Sequence, residues 1–441
     1  MNQLHTDRYW LSNSGFSPAP PLRGTARADV AVIGGGITGL SAAYHLKQAD
    51  PALNVILVEE ESVGSGASGR NAGFVRRSFG LNLRYSVFRF GKTRARIAWD
   101  FMDSAVNYLA DFIKQNALNC DFRQHDFLRF ATNRNYLDRL QSEMELAQQL
   151  GITGRQWLSY SQLQQAFGSP AMLGGFMESG VGMIQPVKFL RDLRDRVIDK
   201  GVRIYEHTPA THVYDTTPVR IETPEGELLS GKVVFATNGY SHGFSQLRRL
   251  QIPAYNYAIL TRPLTDEELE GMGWEYCLGM KDVRNFPFYL RLTPEHRLLV
   301  GGGNIEFISN QTKPFRRSNR FLQDLIQFLG ELFPQVKYID IENKWKGMIS
   351  IPLDMMPVIG HLRDQRLLYS LGYVGHGIPL ALTSGRILTD LVLERQSEFT
   401  DLFFVNRYPV PWPIEPLRFG ISKAIRGYMQ LQDQLLGKTG S

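Results

Sequence analysis

An α/β domain on a doubly wound parallel sheet, interleaved with an α+β domain on a large antiparallel sheet, is the architecture this sequence predicts. Three observations carry it. "ADVAVIGGGITGLSAAYHL" (28–46) reads as strand, glycine turn and helix, and "LLYSLGYVGHGIPL" (367–380) repeats that order. Between them, 246–345 is mostly strand-like, with one helical stretch at "RFLQDLIQFLGELF". Strand-and-helix text also returns at 185–245 and 346–395, so the chain passes between two domains at least three times. The expected division is 28–90, 185–245 and 346–395 in the first domain, and 91–184 and 246–345 in the second. Residues 396–441 form a tail with an amphipathic helix.

The bounds agree. A chain of 441 residues holds two to three domains at roughly 100–200 residues each. With 43 % apolar and 21 % charged residues it is globular rather than disordered. Cys120 and Cys277 are too few for a disulfide framework and lack metal-site spacing, so no metal and a reducing compartment are expected. "MNQLHTDRYW" has no apolar stretch for a secretory signal, and no apolar run approaches the roughly 18 residues of a spanning helix. The expected location is cytoplasmic, or peripheral on the inner face of the membrane. Net charge is +6 without a tight basic block, which argues against nucleic acid.

Each element of the first unit has a chemical purpose. "DVAVI" is a short apolar run of the kind buried in parallel sheets. Gly34, Gly36 and Gly39 then stand in the order G-x-G-x-x-G. Gly34 permits the tight turn, Gly36 lets a pyrophosphate approach the backbone, and Gly39 lets helix pack on strand. Ile37 and Thr38 open a helix whose N-terminus offers free N–H groups and a positive dipole end. A second strand, "NVILVE", ends at Glu59, twenty residues after Gly39, where a carboxylate can accept ribose hydroxyls; Glu60 lies beside it. This is a dinucleotide site.

The next segment selects the dinucleotide. "GSGASGRNAGF" (64–74) is too small and polar to bury a core, so something other than protein packs against it. NAD is short, whereas the ribityl chain and ring of FAD need cover along their length. Gly66, Ala67, Ser68, Arg70, Asn71, Ala72 and Gly73 are the candidates to supply it. A third glycine run, "RLLVGGGNIEF" (297–307), is a decoy. "NIEFISNQTKPF" does not start an apolar-striped helix and no acid follows at the right distance, so it reads as strand and loop, without NADPH.

At this point the chain resembles the D-amino-acid oxidase superfamily of FAD-dependent amine oxidoreductases. The resemblance is closest to the γ-glutamylputrescine oxidoreductase branch, with glycine oxidase and monomeric sarcosine oxidase as more distant relatives. It rests on "RYW", "ADVAVIGGG", "VGSGASGRNAGF", "GVRIYEHTPA", "VVFATNGY", "FYLRLTPEHRLLVGGG", "WKGMISIPLDMMPVIG" and "LGYVGHGIPLALTSGRIL", which come in the family's order. It implies a flavin domain of the Rossmann-like, glutathione-reductase type. It implies further cofactor contacts at Ala236, Thr237, Gly347, Gly372, Gly375, His376, Gly377 and Ile378. A helix N-terminus near Gly377 would stabilise negative charge on the reduced flavin. The family's covalent anchors, a cysteine after the Trp345 region or a histidine in the early flavin region, are missing, so FAD should be non-covalent.

The implied reaction is oxidative deamination of a small-molecule amine or amino acid. A hydride leaves the amine-bearing carbon for flavin N5, the imine hydrolyses, and electrons pass to O2 or a quinone. Tyr257, Tyr289 and Arg291 are the candidate substrate-side residues. Tyr255 and Tyr257 alternate along one strand, as do Tyr289 and Arg291 along another, so each pair shares a face. In glycine oxidase-like sequences G-L-R-P supplies an arginine for the substrate carboxylate. Here the block is "GMISIP" and Met348 is read at that position, so a simple α-amino acid is disfavoured unless Arg291 takes over. Pro379 stands where sarcosine oxidase-type relatives carry a lysine. Two further readings remain: an amino- or imino-acid dehydrogenase feeding a quinone, and a non-catalytic flavoprotein subunit.

In the tail, Leu417, Ile421, Ala424, Ile425, Tyr428, Leu431 and Leu435 recur at helical spacing, with Arg418, Lys423, Arg426 and Lys438 on the remainder. Such a helix could lie on an anionic membrane surface or dock on the protein itself.

Overall fold

A computed structural model of the chain describes residues 9–12, 17–80, 82–274, 277, 279–308 and 318–438. Arg8 of the "RYW" block and 309–315 of "NIEFISNQTKPF" lie outside the described residues.

The first sheet runs in the order Val358–His361, Leu367–Leu371, Gly226–Phe235, Gly24–Ile33, Val55–Val58, Arg203–Tyr205. Along this order its first pairing is antiparallel and the other four are parallel. Alternate residues point to opposite faces, and both faces are buried. Val30, Val32, Leu57 and Val234 meet helices, while Ala31, Ile33, Ile56 and Val58 face the other way. The helical face is covered by Ile37–Ala49, Pro186–Asp199 and Gly377–Val392. The opposite face carries an antiparallel ribbon (His212–Tyr214, Val219–Thr223) and the segment around Phe244 and Leu247, not helices. The sheet is therefore not doubly wound. The stretch between Tyr205 and Gly226 goes into this ribbon and not into a helical crossover.

Among the described residues the second sheet has nine strands. Its main path is Ile341–Ile351, Ile252–Pro263, Arg297–Phe307, Phe288–Leu292, Gly279–Asp282, Arg123–Ala131, Gly174–Met183, Phe74–Val75. It is antiparallel except where Gly279–Asp282 runs parallel to Arg123–Ala131. Helix Ser318–Leu332 covers its outer face through Phe321, Leu325, Phe328 and Leu329. Register places Trp345, Ala258, Gly301, Tyr289, Lys281 and Arg129 in one row across six strands. "RLLVGGGNIEF" is one of these strands, as expected.

Two expected boundaries move. Residues 346–351 belong to the edge strand of the second sheet, not to the flavin domain. Helix Leu83–Gln115, expected mostly in the substrate domain, packs Ala98, Phe101, Met102 and Val106 into the first domain's core. Its helical, charged text was legible, but a helix does not name its partner.

The tail helix, Leu417–Lys438, docks through polar groups, with Phe419 and Leu436 packed on neighbouring apolar clusters. Arg418 Nη1 donates to the carbonyl of Arg248 at 2.9 Å, and Arg426 Nη1 to that of Ile305 at 3.1 Å. Asp433 accepts from the N–H of Asn285 at 3.0 Å. The predicted apolar stripe points to solvent, with Leu417 63 % and Tyr428 63 % exposed. Among the described residues no helix is long and apolar enough to cross a membrane.

Candidate functional site

A cavity of about 1170 Å³ lies between the two sheets. Drug-sized pockets span roughly 300–1,000 Å³, so this one has room for a dinucleotide and a small substrate. The carboxyl ends of strands Gly24–Ile33 and Gly226–Phe235 open into it, together with the loop 64–73 and the turn 372–377.

The glycine turn is built by close approach. A Cβ at Gly39 would collide with the carbonyl oxygen of Gly34, and one at Gly34 would stand 2.8 Å from the carbonyl of Ala236. Gly36 and Ile37 present the start of helix Ile37–Ala49 to the cavity. Glu59 accepts from the N–H of Gly35 at 2.6 Å and from that of Glu61 at 3.1 Å. Burial pushes its carboxyl up to about 6 despite those two bonds. Thr38 Oγ1 lies 2.7 Å from the hydroxyl of Tyr373, which also meets Ser370, so the two glycine turns are tied together.

The loop 64–73 is gripped from outside. Trp345 Nε1 donates to the carbonyl of Arg70 at 2.9 Å, and Trp10 Nε1 to that of Asn71 at 3.1 Å. Arg291 Nη1 donates to that of Ala72 at 2.6 Å. Three successive carbonyls are thus satisfied by three side chains. The N–H groups of Asn71 and Ala72 meet no acceptor among the described residues and are available to a ligand. His376 begins helix Gly377–Val392, and its buried Nδ1 has no partner either. An open cradle, free N–H groups and an orphaned buried nitrogen fit a flavin dinucleotide.

Comparison with known proteins decides the family. The model of the FAD dependent oxidoreductase family matches residues 29–391. The chain belongs to that family. It is 27 % identical to gamma-glutamylputrescine oxidoreductase of Escherichia coli (strain K12), over 98 % of this chain and 99 % of that one. It is 24 % identical to glycine oxidase of Bacillus subtilis (strain 168), over 83 % and 94 % of the two chains. The structure of glycine oxidase from Geobacillus kaustophilus superposes with a TM-score of 0.72 at 19 % identity, covering 87 % of this chain and 99 % of that one. The fold is therefore the family's two-domain flavin fold.

Most expected cofactor residues of this family member line the cavity, including Glu60, Gly66, Ala67, Ser68, Gly73, Thr237, Gly347, Gly375, Gly377 and Ile378. Gly39 and Gly372 do not. They permit backbone packing instead, Gly372 against Pro352.

The substrate-side candidates divide. Tyr289 lies flat across Gly301, which has no Cβ to displace it, and meets Phe74 edge-on at 5.7 Å. It forms part of the cavity floor. Tyr257 belongs to the opposite row, with Gly302 and Phe288. It borders the cavity, but its ring stacks on Phe321 at 4.9 Å and its hydroxyl donates to Glu306 at 2.5 Å, so the ring packs toward the outer layer. Arg291 is 2 % exposed and outside the cavity lining; besides Ala72, it donates to the carbonyl of Ile184 at 2.7 Å. It is a loop clamp, not a carboxylate receptor. Met348 borders the cavity and packs on Gly239; Ile349 shares the alternate face with Trp345 and Gly347.

Sequence reasoning missed Lys281, Arg76 and Arg129 on the cavity wall, and Ile425, Arg426, Tyr428, Met429 and Gln432 of the tail helix. A lysine in the strand "GMKD" was the available signal for the first.

Gly36→Val should lower FAD retention sharply, because a larger side chain enters the cradle, and Glu59→Ala should lower it less. Flavin absorbance per protein after desalting measures both; full occupancy in Gly36→Val would contradict the assignment. Arg291→Met should cost about 2 kcal/mol of stability and some flavin, while the folded enzyme keeps its apparent substrate constant. Thermal unfolding alongside steady-state kinetics tests this, and a large rise in the substrate constant at unchanged stability would refute the clamp role.

Proposed function

We propose that the chain oxidises a small-molecule amine or amino acid with non-covalent FAD, releasing an imine that hydrolyses to a carbonyl compound. The observation that carries this reading is the continuity of the glycine cradle with a floor of Tyr289 and Trp345 inside one cavity. The names of the relatives point the same way. When bound, the flavin accepts the hydride from the amine-bearing carbon.

The chain's own residues prepare that transfer. Gly36, Ile37 and the loop 64–73 hold the dinucleotide, with N–H groups toward phosphate and ribityl oxygens. Tyr289, Trp345 and Phe74 exclude water, and aromatic faces can hold an amine before it loses its proton. The N-terminus of helix Gly377–Val392 favours negative charge developing beside it. Non-covalent attachment is supported by the lack of cysteine at 345–356 and of histidine at 64–79. Both cysteines of the chain are buried in the cores.

One observation favours a quinone as acceptor. The stripe Leu417, Ile421, Ile425, Tyr428, Leu431 and Leu435 is exposed, as are Ile414 and Tyr408. The same helix walls the cavity. A lipid surface meeting this stripe would bring a membrane quinone beside the site, aided by Lys423.

Anaerobic mixing with a panel of amines and amino acids should bleach the yellow protein, and acid precipitation should leave FAD in the supernatant. A panel without bleaching would support a non-catalytic flavoprotein instead. Repeating it in air with peroxide detection separates O2 from other acceptors. Separately, Leu431→Asp with Leu435→Asp should abolish co-sedimentation with anionic vesicles at low salt while leaving flavin content unchanged. Equal sedimentation of variant and parent would exclude the lipid contact.

A further inference from the structure

Resting on the amine-oxidising reading of the cavity, we propose that Lys281 anchors an anion subsite there, and that it takes a carboxylate carried by the substrate amine. Lys281 projects from strand Gly279–Asp282 beside Tyr289, in the cross-strand row that forms the floor. Its sole close polar contact among the described residues is Nε2 of His376 at 3.5 Å, too long to be strong.

The other cations of this wall have partners of their own, three in ion pairs and Arg70, Arg139 and Arg426 on neutral oxygens. Arg76 pairs with Glu178 at 2.9 Å, Arg129 with Glu143 at 3.1 Å and Arg284 with Asp282 at 3.1 Å. Arg139 donates to Asn285 at 3.0 Å. Recruiting any of the paired arginines would break a buried ion pair, which leaves a carboxylate stranded. Lys281 has no carboxylate within ion-pair reach among the described residues. An ammonium enclosed without an anion is unfavourable, and a ligand carboxylate removes that penalty.

The surroundings favour an anion over a second cation. Arg76, from the segment after Phe74–Val75, and Arg129, from Arg123–Ala131, both add positive potential at Lys281; Asp282 and Glu143 oppose it. His376, from the turn before Gly377–Val392, is held neutral by burial and by Lys281. A neutral ring facing an ammonium accepts through Nε2, which leaves the proton on the unpartnered Nδ1. Burial and the two arginines pull the Lys281 ammonium down to about 7, so an empty subsite is only partly charged near neutrality. A bound carboxylate would hold the proton in place. Lys281 thus supplies, from a different strand, the cation that Pro379 and Met348 do not.

Anthranilate is a suitable probe. It carries a carboxylate, and its amine-bearing carbon has no hydrogen, so binding is read without turnover. Titrated into the holoenzyme, it should perturb the flavin absorption band. Lys281→Met should weaken its apparent Kd about tenfold to a hundredfold, and Lys281→Arg should restore most of the affinity. Anthranilamide, neutral and of similar shape, should bind weakly to the parent and be indifferent to Lys281→Met. In the parent enzyme alone, anthranilate affinity should fall as pH rises from about 6 to about 9. Equal affinity in parent and Lys281→Met, amide binding as tight as acid, or a flat pH profile would each overturn the subsite. A protein that fails to bleach with every amine would refute the reaction but leave this binding test intact.

Discussion

Three hydrogen bonds to three consecutive carbonyls hold this molecule's site together. Trp345 comes from the second sheet's edge strand, Trp10 from the N-terminal segment and Arg291 from the middle of the second sheet, and they bind the carbonyls of Arg70, Asn71 and Ala72. A segment of small residues has no side chains with which to fix itself. Its shape is imposed by partners distant in sequence, and its own N–H groups are left for a ligand. The cradle on the first sheet and the floor on the second are thereby held in fixed relation.

The floor obeys the two-residue period of strands. Gly301 faces the cavity because its row contains Ala258 and Tyr289, and its missing side chain makes the place where the Tyr289 ring lies. One residue further on, Gly302 belongs to the row of Tyr257 and Phe288, under the outer helix. A glycine run that resembles a nucleotide loop is in fact a strand thinned to admit aromatic rings from its neighbours.

The first glycine turn, the acid at Glu59 and the loop 64–73 were legible because each is local: strand, turn and helix lie within one continuous stretch. The pairs Tyr255/Tyr257 and Tyr289/Arg291 were legible as pairs, since alternation is also local. How each ring turns depends on register between strands far apart in sequence: Tyr289 lies on the floor, while Tyr257 borders the cavity with its ring turned to Phe321. Arg291 looked like a carboxylate receptor because its chemistry suits one. Its carbonyl partners, Ala72 and Ile184, are set by tertiary structure alone. The tail's stripe was legible and its direction stayed open between lipid and protein, because periodicity defines a face without saying what it meets.

That tail has a thermodynamic consequence. The helix is seated through Arg418, Arg426 and Asp433 on backbone groups, with its apolar side already in water. Lifting it from the cavity exposes these polar seats and the apolar contacts of Phe419 and Leu436, far fewer than the sheet cores hold. Polar exposure lowers the heat capacity slightly, whereas exposing the sheet cores raises it strongly. The wall over the cavity and the cores beneath it therefore follow differently curved stability profiles, and cooling that weakens the apolar cores leaves the seat of this helix comparatively firm.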